Sequence, residues 1–293
     1  MAGLLERIAI VGPTGQLGSD LMRVFADRAP IGLEHRVFDL EHPAGMIAAL
    51  ERHRPTLVIN TAAYHNVDLC ELNPDRALAV NALGVDALAG LCALAGAVFA
   101  TISSDYVFAG TAVAPYRESD MPAPLNVYGI SKLAGELLTK RHGARHFIFR
   151  TSGLFGKAGS SNKGYTFIDR MLASAKAGAP VRVVTDMTFS PSYTLHVAAA
   201  IRRIVETETF GLYHVTNSGS CTWHEFTAEA FRQSGLNYPI EAISTASFAA
   251  GVKRPMYSPL AHGAIEALGI EPVPDWKAGI ASYLAERAQT ATR

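Results

Sequence analysis

The sequence predicts an α/β chain: a doubly wound parallel sheet with a smaller carboxyl-terminal lobe. Three observations carry this. Short apolar runs bounded by turn residues suit strands buried on both faces. Longer helical stretches alternate with them, and βαβ order implies right-handed crossovers in one sheet. A glycine triplet stands between the first strand and the first helix.

In chain order, Arg7–Val11 is a continuous apolar strand and Leu17–Ala29 the helix after it. Pro43–His53 reads as a helix and Thr56–Asn60 as a strand. Asp75–Leu94 is a long Ala/Leu-rich helix, followed by a strand over Val98–Ser103. Asn126–His142 is helical, and Phe147–Thr151 is again a strand. After Arg150 the texture changes, and Gly153–Gly164, rich in Gly, Ser and Lys, reads as a mobile loop. Phe167–Ala177 and Leu195–Thr207 look helical, Val181–Val184 and Leu212–Val215 extended. Trp223–Arg293 carries scattered prolines and short helices. The expected division is a dinucleotide-binding part over 1–152, to which 181–216 return, interleaved with a substrate-binding lobe over 153–180 and 217–293.

Composition excludes several classes. The 293 residues are 49% apolar and 18% charged, with mean hydropathy +0.15. That suits one large core, or a core with a smaller lobe. Lys plus Arg equals Asp plus Glu at 26 each, so no broad face attracts nucleic acid or an anionic membrane. Cys70, Cys92 and Cys221 are odd in number and widely spaced, as reduced buried thiols are, and no His/Asp/Glu cluster has metal-ligand spacing. The start lacks signal-peptide order. The most apolar stretch, Ala87–Ala100, is shorter than the about 20 residues of a spanning helix. A soluble, cytoplasmic chain without a membrane span is expected.

Val11-Gly-Pro-Thr-Gly-Gln-Leu-Gly18 has the spacing of a dinucleotide turn. Gly12 permits the turn, Gly15 lets backbone approach a pyrophosphate, and Gly18 allows close helix–strand packing, with the helix amino terminus facing negative charge. An acidic residue about 20 positions on should bind the adenosine ribose. Glu34 stands there and Asp39 follows, while His35 and Arg36 between them could contact a 2′-phosphate. Carboxylate and cation pull opposite ways, so NADH and NADPH both stay open. Asn60-Thr-Ala-Ala63 ends a strand in small residues against which a cofactor could lie flat.

Tyr128 and Lys132, four apart, project from one helix face. A tyrosine with pKa near 10 is a poor proton donor or acceptor at neutral pH, and a nearby ammonium would favour its phenolate. Such a pair arises often by accident. Ser104, at the end of Thr101–Ser104, adds a hydroxyl from a neighbouring strand, and the three together make a carbonyl-reductase site.

These segments resemble the extended short-chain dehydrogenase/reductases, and within them the dTDP-4-dehydrorhamnose reductase family. The matching pieces include Gly12–Gly18, Phe38–Leu40, Asn60–Asp68, Ser103–Phe108, Ala123–Gly129, Ser131–Glu136, Phe149–Ser152, Gly211–His214 and Lys253–Pro255. The resemblance implies a Rossmann-like fold and reduction by NADPH or NADH of the C4 ketone of a nucleotide-linked 6-deoxy-4-ketosugar. Ser104, Tyr128 and Lys132 would be catalytic: Tyr128 the acid, Ser104 a hydrogen-bond donor to the alkoxide, Lys132 the partner that anchors ribose. Cofactor contacts are implied at Gly12, Thr14, Gly15, Gln16, Leu17, Gly18, Glu34, Asp39, Leu40, Ala62, Ala63, Tyr64, Tyr128 and Lys132. Substrate contacts are implied at Val67, Ser104, Asp105, Tyr106 and Gly153. A homodimer is compatible with the resemblance.

The chain departs from the family's pattern where the substrate wall should be. Gly153 stands where an aromatic is common, Thr166 precedes Phe167 in place of Asn, and Leu260-Ala261 and Ala264 replace Leu-Asp and a later Lys. The space beside Gly153 is therefore either wider or filled from the same loop by Phe155 or Tyr165, and because interiors avoid voids the filled arrangement is expected. Epimerisation or dehydration of a nucleotide sugar is the alternative chemistry, although Tyr106 after Asp105 breaks the Asp-Glu pair a dehydratase needs. A dinucleotide-binding regulatory subunit is the alternative outside enzymology, and it has no need of the tyrosine acid. His65 and Asp68 read as an exposed loop pair, His214 as a satisfied core histidine.

Overall fold

A computed structural model describes residues 3–159, 164–247 and 251–291, with residues 290 and 291 described by backbone alone. Part of the stretch read as a mobile loop, 160–163, lies outside the described residues.

The first half runs β1 (Ile8–Val11), α1 (Gln16–Val24), β2 (Ile31–Leu33), α2 (Pro43–His53), β3 (Leu57–Asn60), α3 (Val67–Leu72) and α4 (Pro74–Leu78). A π-helical turn, Ala79–Leu83, joins α4 to α5 (Gly84–Leu94). Then come β4 (Val98–Ser104), α6 (Val127–Lys140), β5 (His146–Thr151) and β6 (Leu154–Phe155). The remainder is α7 (Phe167–Lys176), β7 (Arg182–Val184), β8 (Thr188–Phe189), β9 (Ser192–Tyr193), α8 (Thr194–Glu206), β10 (Gly211–His214), β11 (Cys221–Thr222), α9 (Trp223–Gln233), β12 (Glu241–Ile243), α10 (Gly263–Ala267) and α11 (Trp276–Ala291).

Six strands form the large sheet in the order β10-β5-β4-β3-β1-β2, every pair parallel. Side chains alternate across a strand, so β1 sends Ile8 and Ile10 to one face and Ala9 and Val11 to the other. The first face packs Leu17 and Leu21 of α1 with Val197, Ile201 and Ile204 of α8. The opposite face packs Met46 and Leu50 of α2 with Val85, Leu88 and Cys92 of α5. Both faces are covered, which is why these strands read as unbroken apolar runs.

Several elements differ from the sequence reading. The helix after β1 ends at Val24, and a 3₁₀ turn, Ala26–Arg28, leads to Ala29 at φ 44°. Strand β7 stands outside the large sheet and pairs with β12. The chain therefore returns to the large sheet through α8 and β10, not from residue 181. Helices α9 and α11 are longer than expected of the carboxyl-terminal part. The helical run through α4 and α5, Pro74–Leu94, spans 21 residues and is long and apolar enough to cross a membrane by length and composition. Only its second half had been counted as the apolar maximum. Val85, Leu88, Ala89 and Cys92 on it are buried in the core.

Candidate active site

The carboxyl ends of β1, β3, β4 and β5 open onto one cleft of about 1030 Å³, closed on its far side by Met187–Phe189, Trp223, Arg254–Pro255 and Ser258. Open α/β sheets bind ligands at this edge.

At β1, Gly12 takes φ +75°, and a Cβ on Gly18 would run into the Gly12 carbonyl oxygen. The turn is therefore built for residues without side chains. Thr61 clamps it from β3's end, donating from Oγ1 to the Val11 carbonyl at 2.7 Å. Helix α1 starts at Gln16 with no side-chain cap, leaving amide donors free to meet an anion. The Gln16 Oε1 atom is buried without a hydrogen-bond partner, and Gln16 lines the cleft. An uncapped helix start, a side-chain-free turn and an orphaned polar atom in one cleft fit a dinucleotide.

The segment after β3 is held from an unexpected place. Asn81, buried in the π turn, accepts the Tyr64 N–H at 2.8 Å and donates to the Tyr64 carbonyl at 2.9 Å and to Ser131 Oγ at 3.0 Å. Ser131 in turn donates to the Tyr128 carbonyl at 2.8 Å. Asn81 thereby ties the Ala62–Tyr64 backbone to α6. Nothing in its local sequence signals this, because its partners lie 17 and 50 residues away.

Ser104 ends β4 and Asn126 caps α6, accepting the Gly129 N–H at 2.9 Å. Tyr128 therefore falls on the helix's first turn, and it lines the cleft together with Ser104. Burial pushes the Tyr128 hydroxyl well above its ordinary pKa, and the negative charge of Asp105 adds to this. The sequence reading had Lys132 favouring the phenolate. Burial dominates instead, and Tyr128 stays protonated. Burial also brings Lys132 down to about 8, against the opposing charge of Glu136 one helical turn on. Glu136 itself is buried on Arg150, with Nε–Oε1 at 2.8 Å and Nη2–Oε2 at 2.6 Å.

Asp105 is 4% exposed and accepts three serine hydroxyls: Ser104 on Oδ1 at 3.0 Å, and Ser152 and Ser258 on Oδ2 at 2.8 and 2.6 Å. Burial raises its pKa and the three hydroxyls oppose the shift. The residue was expected to contact substrate. It lines the cleft, and its carboxylate is held by Ser104, Ser152 and Ser258. With the Ser104 proton on Asp105, the Ser104 oxygen receives the Tyr106 N–H at 3.2 Å.

Other expectations fare unevenly. Gly12, Thr14, Gly15, Gln16, Leu17, Gly18, Asp39, Leu40, Ala62, Ala63, Tyr64, Val67, Tyr106 and Gly153 all line the cleft. Glu34 does not: it follows β2 with its carboxylate on Arg36 at 3.0 Å, outside the lining. Asp39 does line it, and is already engaged by the Glu41 N–H and by His42 Nδ1, each at 3.0 Å. Asp68, on α3, pairs with Arg254 at 2.8 Å, and Arg254 and Tyr106 both line the cleft. His214 is a core histidine, held down to about 3 by burial and by Arg150, with Nδ1 on the Ala261 carbonyl at 3.1 Å. The space over Gly153 is filled, but by Phe189: Gly153 has φ +50°, and a Cβ there would overlap the Phe189 ring. Phe155 sits in the lobe's core and Tyr165 is exposed. Pairing of β9 with β6 brings Phe189 beside Gly153, a contact that sequence proximity could not suggest.

The model of the RmlD substrate binding domain family matches residues 6–289. The spore coat polysaccharide biosynthesis protein SpsK of Bacillus subtilis (strain 168) is 35% identical over 286 residues, covering 97% of this chain and 99% of that protein. The dTDP-4-dehydrorhamnose reductase of Shigella flexneri is 33% identical over 298 residues, covering 95% of this chain and 97% of its own. The crystal structure of dTDP-4-dehydrorhamnose reductase from Bacillus anthracis in complex with NADP superposes with a TM-score of 0.91 at 34% identity, over 96% of this chain and 99% of that one.

Proposed function

We propose, from the premise that this chain belongs to the RmlD substrate binding domain family of extended short-chain dehydrogenase/reductases, that it reduces the C4 ketone of a nucleotide-linked 6-deoxy-4-ketosugar to an alcohol. The dTDP-4-dehydrorhamnose reductases among its relatives make the dTDP sugar the first substrate to try. The carrying observation is that Ser104, Tyr128 and Lys132 line the same cleft as the Gly12–Gly18 turn.

NADPH or NADH, when bound, supplies the hydride. Gly12, Gly15 and Gly18 with the start of α1 would receive its pyrophosphate, Ala62–Tyr64 and Asp39–Leu40 would flank it, and Lys132 would hold the nicotinamide ribose hydroxyls. Tyr128 gives its proton to the developing C4 alkoxide, and its buried, protonated state suits an acid. Ser104 turns its proton from Asp105 to the same oxygen, while Ser152 and Ser258 keep the carboxylate satisfied. Val67, Tyr106 and Gly153 would border the sugar.

The reading implies a cytoplasmic enzyme of cell-surface polysaccharide synthesis, in keeping with the spore-coat relative. Exposed Leu83, Ile130 and Leu137, on the π turn and α6, support a homodimer, which sedimentation velocity tests. Function itself is tested by following absorbance at 340 nm, about where reduced nicotinamide absorbs, with dTDP-, UDP- and GDP-linked 4-keto-6-deoxyhexoses. Oxidation of cofactor that depends on one of these sugars is expected; none with any of them would refute the reading.

A further inference from the structure

Gly153 follows Ser152, which shares Asp105 with Ser104. A sugar whose C4 oxygen reaches Ser104 and Tyr128 must therefore pass beside Gly153. What stands over that glycine is an aromatic stack. Phe189 and Trp223 lie face to face, with centroids 4.0 Å apart and planes at 14°, and both line the cleft. The pair is rigidly mounted. β8 and β11 pair antiparallel with Cys221 opposite Phe189. Thr222 and Glu225 form a capping box that fixes Trp223 as the first residue of α9. Phe167 packs edge-on against the indole at 4.7 Å. Phe189 is almost wholly buried while Trp223 keeps partial exposure, so the surface left to the cleft is mostly indole.

We propose that the Phe189–Trp223 stack is the wall that receives the apolar face of the substrate's hexose ring and sets specificity for the sugar. Large aromatic rings bury C–H surface with little loss of side-chain freedom, and this one is already ordered. Gly153 is part of the device, since only a residue without a side chain admits Phe189. The proposal rests on the nucleotide-sugar reading above.

The chain has two tryptophans, and Trp276 is 6% exposed in the lobe's core. Intrinsic fluorescence therefore reports the wall. Titration of the whole protein with dTDP-rhamnose should quench or shift emission, titration with dTDP alone should not, and Trp223→Phe should abolish the change while keeping an aromatic stack. Phe189→Leu should raise KM for the ketosugar about tenfold with kcat and cofactor KM unchanged, the loss expected of weaker apolar contact. Equal responses to dTDP and dTDP-rhamnose, or calorimetric binding of dTDP-rhamnose with silent fluorescence, would overturn the wall. Absence of calorimetric binding by any dTDP sugar would overturn the nucleotide-sugar reading, and the wall with it.

Discussion

Replacing Ser258 with alanine takes one hydroxyl from Asp105 and leaves the carboxylate with Ser104 and Ser152. A hydrogen bond to a charged group contributes about 1.5–3 kcal/mol, and this one spans only 2.6 Å in a buried site. A chain of this size loses about 2–4 °C in Tm per kcal/mol, so a fall of about 3–12 °C is expected. The loss should depend on pH. Fewer donors raise the native carboxyl pKa further above its unfolded value, so the native state binds the proton more tightly. Stability is then fullest below the unfolded carboxyl pKa and declines as pH rises through the native one. The Tm deficit of the variant should be larger at pH 8 than at pH 5. Turnover should fall as well, about tenfold, because releasing Ser104 to substrate would leave Asp105 with a single donor. Cofactor affinity should hold. Differential scanning calorimetry at both pH values, with steady-state kinetics, measures all of this. A Ser258→Ala protein with wild-type Tm at pH 8 and undiminished kcat would refute the positioning role of Asp105.

Tyr128→Phe keeps the ring and removes the proton donor, so kcat should drop about 10²–10⁴-fold with cofactor affinity retained in a fluorescence titration; near-wild-type turnover would assign the acid elsewhere. Gly15→Val puts a branched side chain where backbone should meet the pyrophosphate, and NADPH affinity should vanish from a protein that still melts cooperatively. With Lys132 near 8, its ammonium is present below that pH and lost above it, so kcat/KM for cofactor should decline through about pH 8. Lys132→Arg stays charged and should remove that limb from the profile; a limb that persists belongs to another group. Gly153→Trp should overpack against Phe189, lowering stability by about 1–3 kcal/mol and raising KM for the sugar; a lower KM at unchanged Tm would mean the ring moves aside freely.

What was legible in the sequence follows from range. The Gly12–Gly18 turn, and the spacing of Tyr128 and Lys132 on α6, are local patterns whose geometry one strand–turn or one helix turn imposes. Ser104 could be found because β4 is an unmistakable run with a hydroxyl at its end. The partners of Asp105 and Arg254, and Phe189 itself, escaped because they lie far along the chain: Ser258 is 153 residues from Asp105, and Asp68 is 186 from Arg254. Arg182–Val184 reads as a strand in any sheet, and no local feature says that its neighbour is β12 rather than a strand of the large sheet. Glu34 misled for the opposite reason. Counting places a carboxylate at the right distance past the glycines, but it pairs with the exposed Arg36 and does not line the cleft.

Asp105 also sets a timetable for biosynthesis. Strand β10 is the last to join the large sheet, so a nascent chain that has passed His214 already carries every strand behind the cofactor turn. Ser258 is still unsynthesised at that point, and at about 5–20 residues per second it follows some 2–9 s later. Until then a carboxylate destined for burial is short of one partner, and water must serve in its place. The set of three hydroxyls around Asp105 is therefore completed only where the carboxyl-terminal segment that carries Ser258 closes over it.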